Sequence, residues 1–262
     1  MTDSKKEPAT PIPQSLKGLT AIVTGGAKGI GLGIAKDLAS QGCRIAIWDI
    51  DITALAQATT ELQQMGAEVF AQQVSVTSQD DVELAVARLH NTTGRVDILV
   101  NNAGIDADAP VLNYELETWR RVLRFNLEVP FRLSQHAAQH MVAHGGGSII
   151  NIASVLGFVG VNEGCSYSAA KHGLIGMTKG MAIEWSKQGV RVNAVAPGLI
   201  QTDMTANLWQ ADFGEAYVQS RIPQGRIGQP ADIGGAVVFL ASPAADFIHG
   251  QTIAVDGGFL AQ

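Results

Sequence analysis

Short apolar runs alternate along the chain with longer stretches whose apolar residues recur at every third or fourth position. Seven such runs occupy residues 20–24, 44–49, 68–74, 95–100, 147–153, 190–195 and 251–256. They are apolar nearly throughout, which is typical of strands that are covered on both faces. Between the first two runs, Ile30, Ile34 and Leu38 follow a helical period. The alternation predicts an α/β fold with a doubly wound, seven-stranded parallel sheet and helices on both faces.

The first 18 residues differ from the rest of the chain. They are polar and include Pro8, Pro11 and Pro13, so we expect residues 1–18 to form a mobile N-terminal tail. No Pro/Ser-rich linker interrupts residues 19–262, which are therefore expected to form one domain.

Composition narrows the class of protein. The 18 Lys and Arg residues against 24 Asp and Glu give a formal charge of -6, which argues against a nucleic-acid partner. Only two cysteines are present, which fits a reducing compartment. No apolar run reaches the roughly 20 residues that a membrane helix needs, and the N-terminus lacks the apolar core of a secretory signal. We therefore expect a cytoplasmic protein without a membrane partner.

A glycine-rich turn follows the first predicted strand and precedes a predicted helix. Gly25, Gly29 and Gly31 are spaced Gly-x3-Gly-x-Gly, which differs from the Gly-x-Gly-x2-Gly dinucleotide pattern. Glycines let backbone N–H groups approach a phosphate closely, and the positive end of the helix dipole then faces that anion. The turn therefore predicts a phosphate-binding site, although a glycine-rich turn without a ligand is the alternative.

Asp49 ends the second predicted strand. A carboxylate at this place accepts hydrogen bonds from a ribose diol and repels a 2′-phosphate, which favours NAD(H) over NADP(H). Lys28, inside the glycine turn, points the other way because an ammonium attracts an additional phosphate. We expect Asp49 to lie nearer the ribose hydroxyl, so the prediction is NAD.

Tyr167 and Lys171 lie four residues apart in a segment with helical period, which places them on one helix face. A free phenol is a weak base at neutral pH, and a neighbouring ammonium lowers its pKa toward the working range of a general base. Ser154 follows a predicted strand and could hold a substrate oxygen. Each feature alone is common, and an ordinary surface pair is the alternative.

Five motifs occur together in one order: Thr24-Gly-x3-Gly-x-Gly31, Asn101-Asn102-Ala103-Gly104, Ser154, Tyr167-x3-Lys171 and Pro197-Gly198. In this combination the chain resembles the short-chain dehydrogenase/reductase family over nearly all of residues 19–262. The resemblance implies a single-domain Rossmann fold, with a cofactor half at about 19–153 and a catalytic half at about 154–262. It also implies a homotetramer that packs through helices near 115–143 and 164–186.

The resemblance assigns roles residue by residue. It implies that Asn126, Ser154, Tyr167 and Lys171 are catalytic and that Asn101 helps to fix the fourth strand. The residues that it implies bind the cofactor are Gly25, Lys28, Gly29, Ile30, Gly31, Asp49, Ile50, Ser75, Val76, Asn102, Ala103, Gly104, Tyr167, Lys171, Pro197, Gly198, Ile200 and Thr202. Ser75 stands where many relatives carry an Asp that meets the adenine, which puts the affinity for the cofactor in doubt.

The resemblance implies hydride transfer between NAD(H) and a small-molecule secondary alcohol or ketone, with Tyr167 exchanging the proton and no metal. Residues 155–166 and 199–226 should line the substrate pocket, and their apolar character favours a neutral or moderately apolar substrate. One alternative is an NADPH-dependent 3-oxoacyl-[acyl-carrier-protein] reductase, for which Arg124 and Arg132 are the candidate docking residues. A more distant alternative is a non-catalytic NAD(H)-binding protein.

His136, His140 and His144 recur at every fourth position and so share one helix face. Three imidazoles suit zinc, but no Cys or carboxylate lies close in sequence to complete the ligand set. We expect these side chains to be structural and predict no metal site.

Overall fold

A computed structural model describes residues 16–205 and 214–262. The strands are β1 Thr20–Thr24, β2 Arg44–Asp49, β3 Val69–Gln73, β4 Ile98–Asn101, β5 Gly147–Ile152, β6 Val190–Pro197 and β7 Thr252–Val255. The α-helices are α1 Gly29–Ser40, α2 Ile52–Gln64, α3 Gln79–Thr93, α4 Leu116–Leu123, α5 Val129–Ala143, α6 Cys165–Trp185, α7 Gly214–Arg221 and α8 Pro230–Ala241. A π-helical turn, Arg124–Glu128, joins α4 to α5.

The strands form one sheet in the order β3-β2-β1-β4-β5-β6-β7, and every neighbouring pair is parallel. The predicted seven-stranded parallel sheet is therefore confirmed. The strand order reverses beside β1, and in such sheets ligands bind at the carboxyl ends of the strands next to this point. The glycine turn follows β1 at that edge, and Ser154 and Gly198 follow β5 and β6.

Two apolar layers cover the sheet. One layer packs α1, α2 and α8 around Val23, Ile47 and Ile150, and the other packs α3 and α5 around Ile22 and Leu99. The central strands are buried as predicted, but β3 and β7 are largely half-buried or exposed. These two strands lie at the sheet edges, where a neighbouring strand is present on one side only.

The packed domain begins earlier than the sequence suggests. Leu16 is fully buried in the core, and its carbonyl oxygen lies 3.6 Å from the Cys43 sulfur. The backbone N–H of Gly18 also donates to the Gly42 carbonyl at 3.0 Å. Residues 16–18 therefore belong to the domain rather than to the predicted tail, and residues 1–15 lie outside the described ranges.

Within residues 16–205 and 214–262, no helix is both long and apolar enough to cross a membrane. Both cysteines are free thiols: Cys43 is buried and Cys165 is exposed.

Candidate active site

The glycine turn has a backbone shape that requires glycine. Gly25 and Gly29 have φ values of +59° and +50°, in the left-handed region. A Cβ on Gly31 would lie 2.0 Å from the carbonyl oxygen of Gly25 and 2.6 Å from Nδ2 of Asn102. The beginning of α1 therefore lies directly against the turn.

The turn is held by the end of β4. Asn102 Nδ2 donates to the carbonyls of Thr24 and Gly25, at 2.9 and 3.1 Å. The Thr24 hydroxyl accepts from the backbone N–H groups of Asn102 and Ala103 and donates to Val100 O. The side chain of Asn102, predicted to bind the cofactor, thus holds the glycine turn in place.

The first turn of α1 fits a phosphate. Lys28 occupies the N-cap position without a side-chain capping bond, and no acidic residue lies in the first helical turn. The N–H groups at this helix end are consequently left for an anionic partner. Ile30, which we also predicted to contact the cofactor, is partly buried against the core.

Asp49 faces the glycine turn. Its Oδ2 accepts the Ala27 N–H at 3.3 Å and its Oδ1 accepts the Asp51 N–H at 3.2 Å. The Lys28 ammonium contacts Asp51 Oδ2 at 2.5 Å. This ion pair, which the sequence did not reveal, gives Lys28 a partner within the protein, and its hydrogen bond raises the pKa of Lys28.

The residues around the predicted adenine site are partly occupied by contacts of their own. Ser75 N–H donates to Asp81 Oδ2 at 3.2 Å, and the Ser75 hydroxyl lies 3.0 Å from the Thr77 hydroxyl. Val76 packs against the core, whereas Ile50 is 69% exposed beside Asp49. Among the residues predicted to lie around the adenine, Ile50 therefore has the most exposed apolar side chain.

The segment after β6 returns to the glycine turn. Pro197 ends β6, and Gly198 N–H donates to Val255 O at 3.0 Å. Thr202 lies so near the turn that a Cβ on Gly29 would be 3.3 Å from its methyl carbon. The side chain of Ile200 is buried in the core, so the predicted contact of Ile200 with the cofactor would be made by its backbone.

Buried asparagines organise the carboxyl end of β4. Asn101 Nδ2 donates to Asn151 Oδ1 at 2.8 Å and to the Ser134 hydroxyl at 2.9 Å, which joins β4 to β5 and α5. Asn151 in turn donates to Thr178 on α6 at 2.9 Å. These bonds agree with the predicted role of Asn101 in fixing the fourth strand.

Asn126 lies in the π-helical turn and is fully buried. Its Nδ2 donates to Ile105 O at 2.7 Å and to Val122 O at 3.0 Å, while Oδ1 has no partner among the described residues. A Cβ on Gly104 would lie 2.6 Å from that oxygen. Single π-helical turns are frequent at functional sites, where they redirect a side chain.

Ser154, Tyr167 and Lys171 come together. Ser154 Oγ accepts the Leu156 N–H at 3.1 Å, and the Ser154 side chain is near enough to Tyr167 to lower the pKa of its phenol. The Lys171 ammonium lies 5.3 Å from the centroid of the Tyr167 ring and donates to Ile152 O at 2.8 Å. One turn of α6 therefore presents both predicted proton-transfer groups next to the end of β5.

The pKa of Tyr167 moves opposite to the expectation from spacing. Burial raises the pKa of the phenol, Asp106 raises it further, and the nearby Ser154 side chain lowers it. Burial also lowers the pKa of Lys171 to about 8, against which Asp106 acts. The spacing indicated a shared face but not the depth of burial, which dominates both groups.

Asp106 is the charged group near this site that the sequence analysis missed. It follows the Asn101–Gly104 motif by two residues and matches no pattern of its own. Its closeness to a predicted cofactor motif was the one feature of the sequence that could have indicated a role for Asp106.

The histidines lie elsewhere, on the face where α3 meets α5. The His90 ring is 5.0 Å from that of His140 and 5.5 Å from that of His144, measured between centroids. In residues 16–205 and 214–262, no group of three or more His, Cys, Asp or Glu side chains could hold a metal ion. Burial lowers the pKa of His140, and the neighbouring imidazoles lower it further.

Comparison with known proteins places these features in a family. Residues 25–260 match the family model described as enoyl-(acyl carrier protein) reductase. The chain is 41% identical to 2-dehydro-3-deoxy-D-gluconate 5-dehydrogenase of Escherichia coli (strain K12), covering 95% of this chain and 98% of that protein. It is also 41% identical to 3-oxoacyl-[acyl-carrier-protein] reductase of Synechocystis sp., covering 94% and 98%.

A solved structure agrees over the same length. The gluconate 5-dehydrogenase of Burkholderia cenocepacia J2315, in complex with NADP and tartrate, superposes with a TM-score of 0.91 at 36% identity, covering 95% of this chain and 98% of that one. The predicted family is thereby confirmed. The chain belongs to the short-chain dehydrogenase/reductase family, whose oxidoreductases bind a nicotinamide cofactor.

Proposed function

We propose that the protein is an NAD(H)-dependent oxidoreductase that interconverts a neutral or moderately apolar secondary alcohol and the corresponding ketone. One observation carries this proposal: the Lys171 ammonium lies 5.3 Å from the centroid of the Tyr167 ring, next to the end of β5 that Ser154 follows. The group lies at the sheet edge that also carries the glycine turn. When bound, the nicotinamide supplies the hydride acceptor or donor at its C4 atom.

In the proposed mechanism, the Tyr167 hydroxyl exchanges a proton with the substrate oxygen. Burial raises the pKa of Tyr167, so the neutral phenol predominates at neutral pH and can donate its proton to a carbonyl oxygen. Ser154 polarises the same oxygen by hydrogen bonding. In the oxidative direction Tyr167 must lose its proton, which becomes easier as the pH rises.

Lys171 and Asn126 support this proton transfer in the proposal. The Lys171 ammonium, held by Ile152 O at 2.8 Å, favours the phenolate that forms during oxidation. Asn126 is proposed to position a proton relay to Lys171, because its buried Oδ1 has no partner among the described residues. A buried amide oxygen without a partner is costly unless another group satisfies it.

The proposed cofactor residues are those at the carboxyl edge of the sheet. Gly25, Gly29 and Gly31 hold the diphosphate and Asp49 binds the adenine ribose, with Ile50 beside it. The preference for NAD(H) is supported by the Lys28–Asp51 ion pair, since Lys28 already has an anionic partner at 2.5 Å. Asp49 and Asp51 together give this end of the site a negative charge that disfavours a 2′-phosphate.

Because one of the compared relatives is a 3-oxoacyl-[acyl-carrier-protein] reductase, the competing proposal is the NADPH-dependent reduction of a carrier-bound 3-oxoacyl group. That activity would need a basic face for an acidic carrier, and Arg124 and Arg132 were its candidates. Both arginines are engaged within the protein: Arg124 donates to Thr77 O at 3.1 Å and Arg132 to Gln79 Oε1 at 3.0 Å. Asp49 favours the alcohol dehydrogenase proposal, because its carboxylate faces the glycine turn and repels the 2′-phosphate of NADPH.

We also propose a homotetramer. Exposed apolar side chains on the helices expected to form the interface support it: Leu116 on α4, Phe131 and Val142 on α5, and Ile183 on α6. Closed symmetric assemblies are the usual outcome for homo-oligomers.

Tyr167→Phe tests the proposed reaction. Nicotinamide fluorescence should show that NADH still binds, more tightly than NADPH, while turnover of secondary alcohols should fall at least about a hundredfold. Thr92→Val, which removes a hydroxyl from an exposed position on α3, outside the predicted site, is the control and should retain turnover. Turnover that persists in Tyr167→Phe would refute the mechanism, and tighter NADPH binding would refute the cofactor preference.

A further inference from the structure

Asp106 lies between two backbone carbonyls that are each held by a hydrogen bond. Asn126 Nδ2 donates to Ile105 O at 2.7 Å, and the Tyr114 hydroxyl donates to Ala107 O at 2.6 Å. One contact comes from a proposed catalytic residue and the other from the end of the same loop. The backbone on both sides of Asp106 is therefore fixed.

The same loop is fastened to the amino end of α6. The Tyr114 hydroxyl lies 2.7 Å from the hydroxyl of Ser166, which is fully buried and directly precedes Tyr167. Ala109 N–H donates to Glu163 O at 3.1 Å, in the segment leading to α6. The backbone around Asp106 is thus kept close to the residue that precedes Tyr167 by contacts on each side.

The charge of Asp106 acts on both reacting side chains. Asp106 adds to the effect of burial in raising the pKa of Tyr167. For Lys171 it offsets part of the lowering of the pKa that burial causes. Burial and the neighbouring Asp108 raise the pKa of Asp106, and Lys171 lowers it; no Lys, Arg or His occurs in residues 105–115 or 154–166. The acids of these two segments are Asp106, Asp108, Glu115 and Glu163.

Asp106 also retains capacity to accept a further hydrogen bond. Its Oδ1 accepts the Ala107 N–H at 2.8 Å, and among the described residues Asp106 forms no salt bridge. A carboxylate offers about four acceptor positions, so one short backbone bond leaves most of them free.

We propose that Asp106 is a specificity-determining residue that accepts a hydrogen bond from a donor group beside the carbinol carbon and excludes substrates with an anionic group there. The donor is a hydroxyl or an ammonium. This inference rests on the proposed oxidoreductase function; a hydroxyl donor narrows its neutral substrate class, and an ammonium donor extends that class to cationic amino alcohols. It separates this protein from the compared dehydrogenases, whose named substrates are sugar acids with a carboxylate.

The test compares four secondary alcohols that differ beside the carbinol carbon: 2-butanol, 2,3-butanediol, 3-amino-2-butanol and lactate. Wild-type kcat/KM should be highest for the diol or the amino alcohol and lowest for lactate. In Asp106→Asn, kcat/KM for lactate relative to 2-butanol should rise about tenfold and that for the amino alcohol should fall about tenfold. The wild-type preference between diol and amino alcohol identifies the donor as hydroxyl or ammonium.

Asp80→Asn is the matched control, because it removes the same charge from an exposed position on α3. Its substrate ratios should equal those of the wild type. Equal ratios in Asp106→Asn would overturn the proposal, as would a wild type that prefers lactate over 2-butanol.

A binding measurement keeps the two proposals separable. Calorimetric titration of the NADH-loaded protein with lactate, which cannot react in that complex, should give a Kd about tenfold lower for Asp106→Asn than for wild type. Equal Kd values would overturn the role of Asp106 whatever the catalytic result. If no alcohol of the panel reacts while the Kd values differ as expected, the proposed reaction fails on these substrates and the role of Asp106 stands.

Discussion

Lys171 combines a catalytic position with an energetic penalty that can be measured. Its side chain is 4% exposed, and burial lowers its pKa from 10.5 to about 8. At neutral pH the folded protein therefore holds a charged ammonium in a buried place. Replacing it with Met, which has a similar length and no charge, should abolish turnover and stabilise the fold.

The magnitude follows from the pKa of Lys171. The difference between 10.5 and about 8 corresponds to roughly 3 kcal/mol of penalty at neutral pH. Lys171→Met also loses the hydrogen bond to Ile152 O, which costs about 1–2 kcal/mol because that carbonyl is left without this donor. The variant should thus be more stable than wild type at pH 7 by about 1–2 kcal/mol.

The pH dependence gives the sharper test. Below a pH of about 8 the lysine is protonated in both folded and unfolded chains, and the penalty is complete. Between about 8 and 10.5 the unfolded chain binds more protons, so wild-type stability gains relative to the variant as the pH rises. By a pH of about 10 most of the variant's advantage should be lost or reversed.

Denaturant unfolding of the cofactor-free proteins at pH 7 and pH 10 measures this difference. Other titrating groups are common to both proteins and cancel when their unfolding free energies are subtracted. Lys179→Met, at an exposed position of the same helix, is the control and should differ little from wild type at either pH. A wild-type minus Lys171→Met difference that stays constant between pH 7 and pH 10 would refute the buried-ammonium argument.

Two further predictions concern the cofactor site. Asp51→Asn keeps a side chain able to cap α2 but frees Lys28, so NADPH affinity relative to NADH should rise about five- to tenfold in fluorescence titrations. A second change, Lys28→Met, should cancel that rise; a rise that survives it would contradict the ion-pair explanation. Gly31→Ala puts a Cβ 2.0 Å from Gly25 O, so NADH affinity should fall at least about tenfold and Tm should fall too. Gly235→Ala on α8 meets nothing within 4 Å and should keep affinity and raise Tm slightly; equal behaviour of the two variants would contradict the steric argument.

The regular part of the fold could be predicted because its strands are buried on both faces. The runs at 20–24 and 44–49 coincide with β1 and β2, whose central residues are all buried. The run at 95–100 was placed too early, since β4 begins at Ile98. Just before it, the buried Asp97 carboxylate accepts the Thr20 N–H at 2.8 Å and contacts Arg95, while the Asp97 backbone bonds to Thr20 and Ser148.

The sequence could predict those site residues that belong to a short local motif. Tyr167 and Lys171 were predicted from a spacing within one helix, and Ser154 from its place after a strand. The position of Asp106 depends on the contact of Tyr114 with Ser166, which are 52 residues apart, and no local pattern encodes such a contact. The pKa directions of Tyr167 and Lys171 were equally hidden, because burial comes from packing of the whole domain.

The bonds that Thr24 and Asn102 make across the sheet have a consequence for chimeras between relatives. The glycine turn takes its shape from the Asn102 amide and the Thr24 hydroxyl, 78 residues apart in sequence. If the glycine turn of a relative were grafted alone, it would contact the β4 end of a different protein. It would then lose the hydrogen bonds that orient its carbonyl groups. Recombination that exchanges residues 24–31 together with 102–103 transfers a self-supporting module, whereas a crossover between the two segments separates its halves.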